Sequence, residues 1–476
     1  SRGLGDVYKR QGYNIRKEVE PLKVLLINPP NQGYYHRLGA FYPPLGLGYI
    51  SSLLRSRGHE VKIVDMNVQD FDFTTARYEE FDLVGISVDT VRFRIGQAIA
   101  KAVKKKGVPV VVGGPHVSAE AEDILRSGIA DYVVIGEGEV PMLELVEALE
   151  SGDKYPEIQG VAYLQDQAFK FTPGEFLKDL DSLPFPDREE LPMNAYKTKF
   201  DGKRATSLIT SRGCPFDCEF CSASQFMGRL WRKRSVGNVL EEVKLLVKKL
   251  GFGSLIFFDD NFTLDPKRVV SLCEGMLKNN LRLSWWAFSR ADEIVGHEDM
   301  VEAMAKAGCK MLFVGFESAD DAVLAEYQKR LDVLTSSRAV QIMKKYKIDL
   351  FASFIIGALN DTKESIKKTV KYAKKLGASI VQFSILTPYP GTKLFTKLKD
   401  KLITRNYDLF DGTHLVFNHP KFSAQELRKL FVKAYFYVYS SPRLLFKRGL
   451  PFFWKLVLSR GSFQPHSWDT ALEHKG

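Results

Sequence analysis

The stretch Cys214-Pro-Phe-Asp-Cys218-Glu-Phe-Cys221 places three cysteines within eight residues. The chain of 476 residues contains five cysteines in all, so composition does not explain this C-x3-C-x2-C spacing. Closely spaced thiolates bind iron–sulfur clusters or zinc. A closed structural site needs four protein ligands, whereas three leave one metal position open for a substrate or cofactor. The stretch therefore predicts a reactive metal site.

Two plainer interpretations of these cysteines are less favoured. A structural zinc site would need a fourth ligand, and no further His or Cys lies within twenty residues on either side of the stretch. A disulfide framework is not typical of a long chain with so few cysteines, which indicates a reduced, intracellular protein. An iron–sulfur cluster is the preferred prediction. The other two cysteines, Cys273 and Cys309, fall in apparent helical segments and are predicted to be buried packing residues.

Strands and helices alternate around and after the cysteine stretch. Residues 236–250 have apolar side chains at helical spacing, with Asn238 and Glu241 as a predicted capping pair, and 266–277 predict a second helix. This alternation predicts parallel βα units, too few for a closed eight-fold barrel but enough for a partial one. Six short apolar strands are predicted at residues 205–210, 255–258, 283–288, 311–314, 350–356 and 380–386.

Polar residues are predicted at the carboxyl ends of several of these strands, where barrel enzymes place their active sites. They are Asp260, Arg290, Glu317 and Ser353. Helix capping explains Asp260 and Ser353 equally well. Arg290 and Glu317 each follow an apolar strand and are the stronger candidates.

A second α/β module precedes the barrel. Its strands and helices alternate as in a doubly wound sheet, whose ligands bind beyond the carboxyl ends of the strands. The strands are predicted at 24–27, 61–64, 83–86, 109–112 and 132–135, and the helices at 45–57, 92–106 and 119–127.

The loops at those carboxyl ends are rich in Gly and Pro. Small residues let the backbone approach a large flat ligand, although tight turns also favour glycine. No G-x-G-x-x-G fingerprint follows the first strand, which argues against a dinucleotide. The candidate ligand-holding residues are Pro44, Leu45, Gly46, Gly113, Gly114, His116, Gly136, Glu137 and Gly138.

Together, the two modules resemble the cobalamin-dependent (class B) radical S-adenosylmethionine enzymes over about residues 23 to 420. The resemblance implies a Rossmann-like B12-binding domain followed by a partial (βα)6 TIM barrel. It implies cobalamin in the glycine-rich loops, a [4Fe–4S] cluster on the three cysteines, and S-adenosylmethionine on the open iron. Phe220 matches the position that packs near the adenine, and Arg290, Glu317 and Ser353 are the other implied contacts to the cosubstrate. Reduced ferredoxin or flavodoxin is the implied electron donor.

Some motifs of the family are present and others are not. The loop Thr387-Pro-Tyr-Pro-Gly-Thr392 matches, whereas Gly357-Ala-Leu-Asn-Asp-Thr362 departs from the usual Gly-Glu-Thr turn. The D-x-H-x-x-G cobalt-ligating signature is absent, and His36 and His116 lack its context. The family commonly binds its corrinoid without a histidine on cobalt, so this absence does not argue against cobalamin.

The resemblance implies methylation of an unactivated carbon of a small-molecule or lipid-like substrate. A 5′-deoxyadenosyl radical would take the hydrogen, and methylcobalamin would supply the methyl group. Ring formation and carbon–carbon coupling with the same cofactors remain alternatives. A tRNA-modifying methylthiolase is less favoured because it needs a second cysteine trio and no cysteine precedes Cys214. An RNA-binding role is disfavoured too, because no basic arm or tRNA-binding domain is appended.

The predicted organisation has five parts: an unstructured or artefactual tail (1–22), the B12-binding domain (23–150), a linker (151–200), the barrel (201–420) and a C-terminal helical segment (421–476). The last segment holds ten Lys and Arg against three Asp and Glu, and twelve aromatics. Such a segment can lie on an anionic membrane surface, or it can cap the barrel with its aromatics buried. We expect a cytoplasmic enzyme in an anaerobic or microaerobic setting, with peripheral contact to the inner membrane face as an option.

Overall fold

The computed structural model of the protein describes residues 20–31, 41–329 and 331–440. The predictions for residues 1–19, for His36 and for the chain beyond residue 440 lie outside the described residues.

The N-terminal half of the chain builds a seven-stranded sheet. Its strands are β1 (Lys23–Asn28), β2 (Glu60–Asp65), β3 (Leu83–Ser87), β4 (Val110–Gly113), β5 (Tyr132–Val134), β6 (Val161–Gln165) and β7 (Ala168–Phe171). The strand order is β2-β1-β3-β4-β5-β6-β7. The first five strands pair in parallel, and β6 and β7 continue the sheet as an antiparallel hairpin.

Helices cover both faces of this sheet, as the sequence predicts. They are α1 (Leu45–Ser56), α2 (Phe93–Lys104), α3 (Pro115–Ala119), α4 (Ala121–Arg126) and α5 (Glu139–Glu150). Side chains alternate across each strand, so Val24 and Leu26 join one apolar core with α1 and α5, and Leu25 and Ile27 join another with α2 and α4. The doubly wound fold is confirmed.

The second half of the chain builds another seven-stranded sheet, of order β16-β15-β14-β13-β12-β9-β8. A separate two-stranded ladder joins β10 to β11. The strands are β8 (Lys199–Phe200), β9 (Lys203–Leu208), β10 (Ser211–Arg212), β11 (Arg232–Lys233), β12 (Ser254–Phe257), β13 (Ser284–Ser289), β14 (Cys309–Glu317), β15 (Asp349–Ile356) and β16 (Ile380–Ile385). The six longer strands pair in parallel in chain order, which curls the sheet into the predicted partial barrel.

The described residues of this half form ten α-helices, and all except the first pack against the outer face of the curled sheet. They are α6 (Ala223–Phe226), α7 (Val236–Lys244), α8 (Pro266–Lys278), α9 (Ala291–Gly296), α10 (Glu298–Lys306), α11 (Asp321–Glu326), α12 (Val333–Lys345), α13 (Lys363–Leu376), α14 (Lys393–Leu398) and α15 (Ala424–Tyr439). One large apolar core joins the outward side chains of β12–β16 to these helices. Short 3-10 turns lie at Tyr78–Glu80, Thr90–Arg92, Leu180–Ser182, Lys399–Lys401 and Tyr407–Leu409.

Several local predictions were wrong. Ser235 caps α7 by accepting from the backbone N–H of Asn238, so Asn238 and Glu241 are not the capping pair. Cys309 begins β14 instead of lying in a helix, although it and Cys273 are buried as predicted. Ser353 lies inside β15, three residues before the strand ends, which also rules out the helix-cap interpretation.

Two longer segments also differ from the sequence interpretation. The hairpin of β6 and β7 extends the first sheet well beyond residue 150, into the region taken as a linker. The helix predicted over 119–127 forms as two short helices, α3 and α4, which meet at Glu120.

The described part of the C-terminal segment caps the barrel. Tyr435 and Tyr439 of α15 are buried, and their hydroxyls donate to the carbonyls of Phe383 and Val381 on β16. The cationic side chains Arg428, Lys429 and Lys433 are exposed. This is the capping arrangement weighed above. No helix within the described ranges is long and apolar enough to cross a membrane.

Candidate active site

The cysteine loop is closed at its base by the two-stranded ladder. Ser211 and Arg212 of β10 pair with Lys233 and Arg232 of β11, so residues 213–231 form one loop at the end of β9. Gly213, directly before Cys214, has a φ of +82°, and a Cβ there would lie 2.5 Å from the carbonyl oxygen of Leu230. Only glycine fits this position.

Two aspartates after β12 anchor the start of the loop. Buried Asp259 accepts from the backbone N–H of Thr210 at 2.7 Å and from the Ser211 hydroxyl at 2.6 Å. Asp260 accepts from the backbone N–H of Gly213 at 3.1 Å. The residue is exposed by its accessible surface, yet desolvation by the protein around it raises the pKa of its carboxyl to about 6. Asp265, not Asp260, caps α8.

The three thiols of the loop are buried or partly buried. Burial raises the pKa of Cys214 to about 11 and also raises those of Cys218 and Cys221. Iron binds the thiolate, so the metal itself must favour deprotonation here. Within the described ranges, no three His, Cys, Asp or Glu side chains lie close enough to share one metal ion. A [4Fe–4S] cluster takes each cysteine on a different iron, so the loop fits a cluster better than zinc.

Arg290 lies against the cysteine loop. Its guanidinium lies 3.6 Å from the ring centroid of Phe216 and donates twice, at 3.0 Å, to the carboxylate of Asp292. It also donates to the Lys329 carbonyl at 3.0 Å. The predicted cosubstrate residue is therefore next to the cluster loop, with its charge already balanced by a neighbour.

Glu317 adjoins the same region and has a partner that the sequence did not indicate. Its φ of +64° is unusual for a side chain that is not glycine. The carboxylate is buried and ion-paired with buried Lys329, whose ammonium also donates to the Gly315 carbonyl at 2.7 Å. Lys329 lies in a loop twelve residues beyond β14, so no strand-end pattern pointed to it.

Phe220 borders a cavity of about 230 Å³ beside the loop. Its ring meets the ring of Tyr327 edge to face, with 5.2 Å between centroids. Leu359 and Leu386, which follow β15 and β16, line the same cavity. The cavity is thus bounded by the position that the resemblance assigns to the adenine contact. Ser353 does not line it; the outward burial of Ala352 and Phe354 places Ser353 on the inner face of β15.

A second cavity, of about 210 Å³, lies under α1 and α5 at the carboxyl ends of the first sheet. Six predicted residues line it: Gly46, Gly113, Gly114, Gly136, Glu137 and Gly138. A Cβ on Gly46 or Gly136 would meet no protein atom within 4 Å, so these two positions leave space that a ligand can use. Larger side chains at these two glycine positions would fill part of the cavity.

Three other predicted corrinoid residues lie elsewhere. Pro44 and Leu45 do not line the cavity; Leu45 packs in the core of the first sheet. The His116 ring lies between Phe93 and Tyr407, with centroids 4.2 and 4.5 Å away. Aromatic packing therefore accounts for the position of that ring.

Glu137 and Glu139 clamp the two halves of the protein together. Glu137 accepts from Arg212 at 2.8 Å and from Arg232 at 2.6 Å, and Glu139 accepts from Arg212 at 2.7 Å. All four side chains are at least nine-tenths buried. Desolvation opposes ionisation of Glu137, but the two arginines outweigh it and lower the pKa of its carboxyl. Both strands at the base of the cysteine loop are thus tied to the glycine-rich loop before α5.

A third cavity, of about 700 Å³, is lined by residues of both halves. It is lined from the first half by Pro115, Gly136 and Glu137. It is lined from the cysteine loop by Ser222 and Gln225, one and four residues after Cys221. Pro390 and Gly391 of the matching Pro-Gly-Thr loop also contribute. The cavity therefore connects the glycine-rich loop before α5 with the cysteine loop.

Comparison with known proteins agrees with both halves. A model of the B12 binding domain matches residues 33–146, and a model of the Radical SAM superfamily matches residues 208–416. An uncharacterized methyltransferase of Pyrococcus horikoshii is 36% identical over 440 residues, which are 90% of this chain and 95% of that protein. The chain belongs to the cobalamin-dependent radical S-adenosylmethionine enzymes.

Two more distant proteins are also similar to this enzyme. The anaerobic magnesium-protoporphyrin IX monomethyl ester cyclase of Rubrivivax gelatinosus is 28% identical, over 82% of this chain and 72% of that protein. The structure of the cobalamin-dependent S-adenosylmethionine radical enzyme OxsB with aqua-cobalamin bound superposes with a TM-score of 0.72. It covers 96% of this chain and 76% of that one at 19% identity, which shows a shared fold.

The cofactors of the enzyme are therefore cobalamin, a [4Fe–4S] cluster and S-adenosylmethionine, as the sequence predicts. The residues present fit them. The open space above Gly46 and Gly136 suits a large flat corrinoid, and the three thiols on one closed loop suit the cluster.

Proposed function

We propose that this enzyme methylates an unactivated carbon of a small-molecule or lipid-like substrate. The observation that carries the proposal is the cavity of about 700 Å³ between the glycine-rich loops and the cysteine loop. Its walls join two candidate corrinoid residues, Gly136 and Glu137, to Ser222, Gln225 and Phe226 of the cysteine loop. When bound, the cofactors would supply hydrogen abstraction and a methyl donor.

The protein's own contribution is placement. The ladder of β10 and β11 and the carboxylate of Asp259 hold the cysteine loop, and Arg290 and Glu317 would orient the polar ends of S-adenosylmethionine beside it. The Glu137 and Glu139 clamp fixes the distance between this loop and the corrinoid loops. Fixed distances matter because small misplacements of reacting atoms cost large factors in rate.

The relatives support methylation and also supply the alternative. The Pyrococcus horikoshii protein is named a methyltransferase, and the Rubrivivax gelatinosus protein is named a cyclase. Ring formation would use the same cofactors, so the fold alone does not separate the two reactions. A peripheral membrane contact through the chain beyond residue 440, and ferredoxin or flavodoxin as reductant, remain part of the proposal.

An isotope experiment separates the two reactions. The reconstituted enzyme, reduced under anaerobic conditions and supplied with hydroxocobalamin, is given S-adenosylmethionine bearing a trideuterated methyl group and a metabolite and lipid extract. We expect a product that carries the label, formed by the enzyme and not by the Cys214→Ala, Cys218→Ala, Cys221→Ala variant. An enzyme-dependent product that has lost hydrogen without gaining label would replace methylation by cyclisation.

A further inference from the structure

The inner face of the curled sheet carries a continuous group of aromatic rings. The inner-face rings belong to Tyr42, Phe258, Trp286, Phe288, Phe313 and Phe351. Neighbouring centroids lie 4.7 Å apart for Phe313 and Phe351 and 4.9 Å apart for Phe288 and Phe313. Five of the rings come from four consecutive strand regions, β12 to β15, and Tyr42 packs on Phe258 from the segment before α1, so that together they form one wall of the barrel interior.

These rings differ from those on the opposite face of the same strands. Phe257, Trp285 and Phe354 face the helices and have no accessible surface. The inner-face rings are all partly exposed although they stand inside the barrel. Aromatic surface that the described residues leave open in the interior is what a binding cavity requires.

The distribution of charged side chains along the inner face limits which ligands could bind inside the barrel. Charged side chains on or beside the inner face of the described β12–β16 stand at its ends: Asp349 at the amino end, and Asp260, Arg290 and Glu317 beside the carboxyl end. Arg290 is paired with Asp292 and Glu317 with Lys329, and Asp260 accepts from the backbone N–H of Gly213. A charged group among the rings would lose its hydration without gaining a counter-ion, which is unfavourable.

One polar side chain on the wall can form a further hydrogen bond. Gln382 of β16 donates to the Ser384 hydroxyl at 3.3 Å, and its other amide atom is buried without a partner. Buried polar atoms are rarely left unpaired, so a ligand in this interior would gain by bonding there. A hydroxyl suits that position because it can donate or accept.

We propose that the inner-face rings and Gln382 bind the substrate, and that it is an uncharged, ring-bearing, largely apolar molecule with a hydroxyl-like group. Rings suit the wall because aromatic faces and edges stack on one another and on flat apolar surfaces. This inference rests on the proposed function, since it assigns the substrate of that reaction. The nature of the substrate can be tested without turnover.

The test uses three pyrene probes on the holoenzyme: 1-pyrenemethanol, pyrene-1-carboxylate and 1-pyrenemethylammonium. Energy transfer from tryptophan, with Trp286 in the wall, reports binding. We expect the neutral alcohol to bind at least about tenfold more tightly than either charged probe. Charged probes that bind as tightly as the alcohol would overturn the proposal.

Variants locate the site. Phe351→Ala should weaken binding of the alcohol at least about tenfold, with Phe351→Leu as the milder change if the first does not fold. Gln382→Leu should weaken binding of 1-pyrenemethanol but not of unsubstituted pyrene. Phe436→Ala, an exposed ring on α15, is the control and should change neither. If Phe351→Leu and Gln382→Leu both leave affinity unchanged, the barrel interior is not the site. A labelled product together with such a result would leave methylation standing and remove this inference alone.

Discussion

The two seven-stranded sheets of this enzyme use the same parallel pairing to make different binding sites. The first has the order β2-β1-β3-β4-β5-β6-β7, so that β2 and β3 lie on opposite sides of β1. Helices cover both of its faces. The second has its long strands in chain order, so it curls, with its helices on one face only. Strand order therefore decides whether a ligand meets a sheet at its edge or inside its curve.

The two sites also differ in what they present. The first sheet offers backbone: Gly46 and Gly136 line its cavity and leave open space where side chains would stand. The second offers side chains: three thiols, a guanidinium and a wall of rings. Substitutions should accordingly damage the first site by adding atoms and the second by removing them.

Removing the three thiols of the cysteine loop should have the largest effect on cofactor binding and activity. The triple variant Cys214→Ala, Cys218→Ala, Cys221→Ala should bind none of the about four irons and four sulfides that the reconstituted enzyme holds, and should not cleave S-adenosylmethionine. Corrinoid binding should persist because its cavity is built by the other sheet. Iron and sulfide analysis with the visible spectrum of bound hydroxocobalamin measures both.

Cys273→Ala is the matched control for the loop cysteines. Its thiol is fully buried in α8, away from the loop, and its loss should cost stability but no iron. Iron retained by the triple variant would contradict the cluster assignment.

Breaking the clamp between the sheets should have the next largest effect, on stability. Arg212→Met leaves the buried carboxylate of Glu139 without its arginine, and breaking a buried pair costs about 3–5 kcal/mol. Lys233→Met is the control on the neighbouring strand position, since its pair with Asp265 is about half exposed on the lysine side and worth at most about 1 kcal/mol. Denaturant unfolding of the two variants without iron compares them.

A double variant separates the effect of the broken ion pair on stability from the effect of lost packing. Adding Glu139→Gln to Arg212→Met should recover part of the loss, because it removes the stranded charge. Equal destabilisation by Arg212→Met and Lys233→Met would show that the buried ion pairs do not hold the halves together.

Adding atoms to the first sheet's cavity should have a moderate effect. Gly46→Leu places a side chain in open space within α1, with no backbone strain, and overfilling a site of this kind costs about 2 kcal/mol of binding, or about thirtyfold in corrinoid affinity. The fold should not suffer, because leucine favours helix more than glycine. Gly296→Leu, at an exposed helix end with equally open space, should leave corrinoid titrations unchanged.

Gly114 would be the wrong choice for that experiment, although the sequence suggests it equally. Its φ is +121°, and a Cβ would lie 2.5 Å from the carbonyl oxygen of Val88. A substitution there would distort the backbone and not merely fill ligand space. Unchanged corrinoid affinity in Gly46→Leu would show that the cavity under α1 is not the corrinoid site.

Strand periodicity and cysteine spacing were enough to predict both sheets, because they are local properties of the chain. The predicted units at 255–258, 350–356 and 380–386 correspond to β12, β15 and β16 with ends shifted by a residue or two. The clamp could not be predicted in this way. Arg212 and Arg232 lie 75 and 95 residues from Glu137 along the chain, and their pairing exists only because the two sheets pack together.

Lys329 and His116 show the same limit from opposite sides. Nothing in the sequence near Lys329 marks it as the partner of Glu317, whereas His116 sits in a suggestive Gly-Gly-Pro-His loop and is buried beside Phe93 and Tyr407 instead. The position of a residue in a loop shows at which end of the sheet the residue lies, but not where its side chain points.

The smallest expected effect is a pH dependence that comes from His116. Burial lowers the pKa of its imidazole to about 4, whereas an unfolded chain holds the group near its usual value of about 6.5. Between these values acid protonates the unfolded chain and not the folded one, so stability is lost as pH falls through that window and is unaffected above it. From pH 7 to pH 5.5 the free energy of unfolding should fall by about 1 kcal/mol on this account.

The variant His116→Phe isolates that contribution. It keeps a ring between Phe93 and Tyr407 and removes two buried ring nitrogens that have no partner, so it should fold normally. Urea unfolding of the cluster-free triple variant, with and without His116→Phe, cancels the titration of neighbouring groups such as Glu120 and of the cluster itself. The difference in stability should grow as pH falls from 7 to 5.5 and should leave corrinoid affinity unchanged. Parallel curves would mean that His116 titrates as freely in the folded protein as in the unfolded chain. A loss of corrinoid affinity would return this histidine to the cobalamin site.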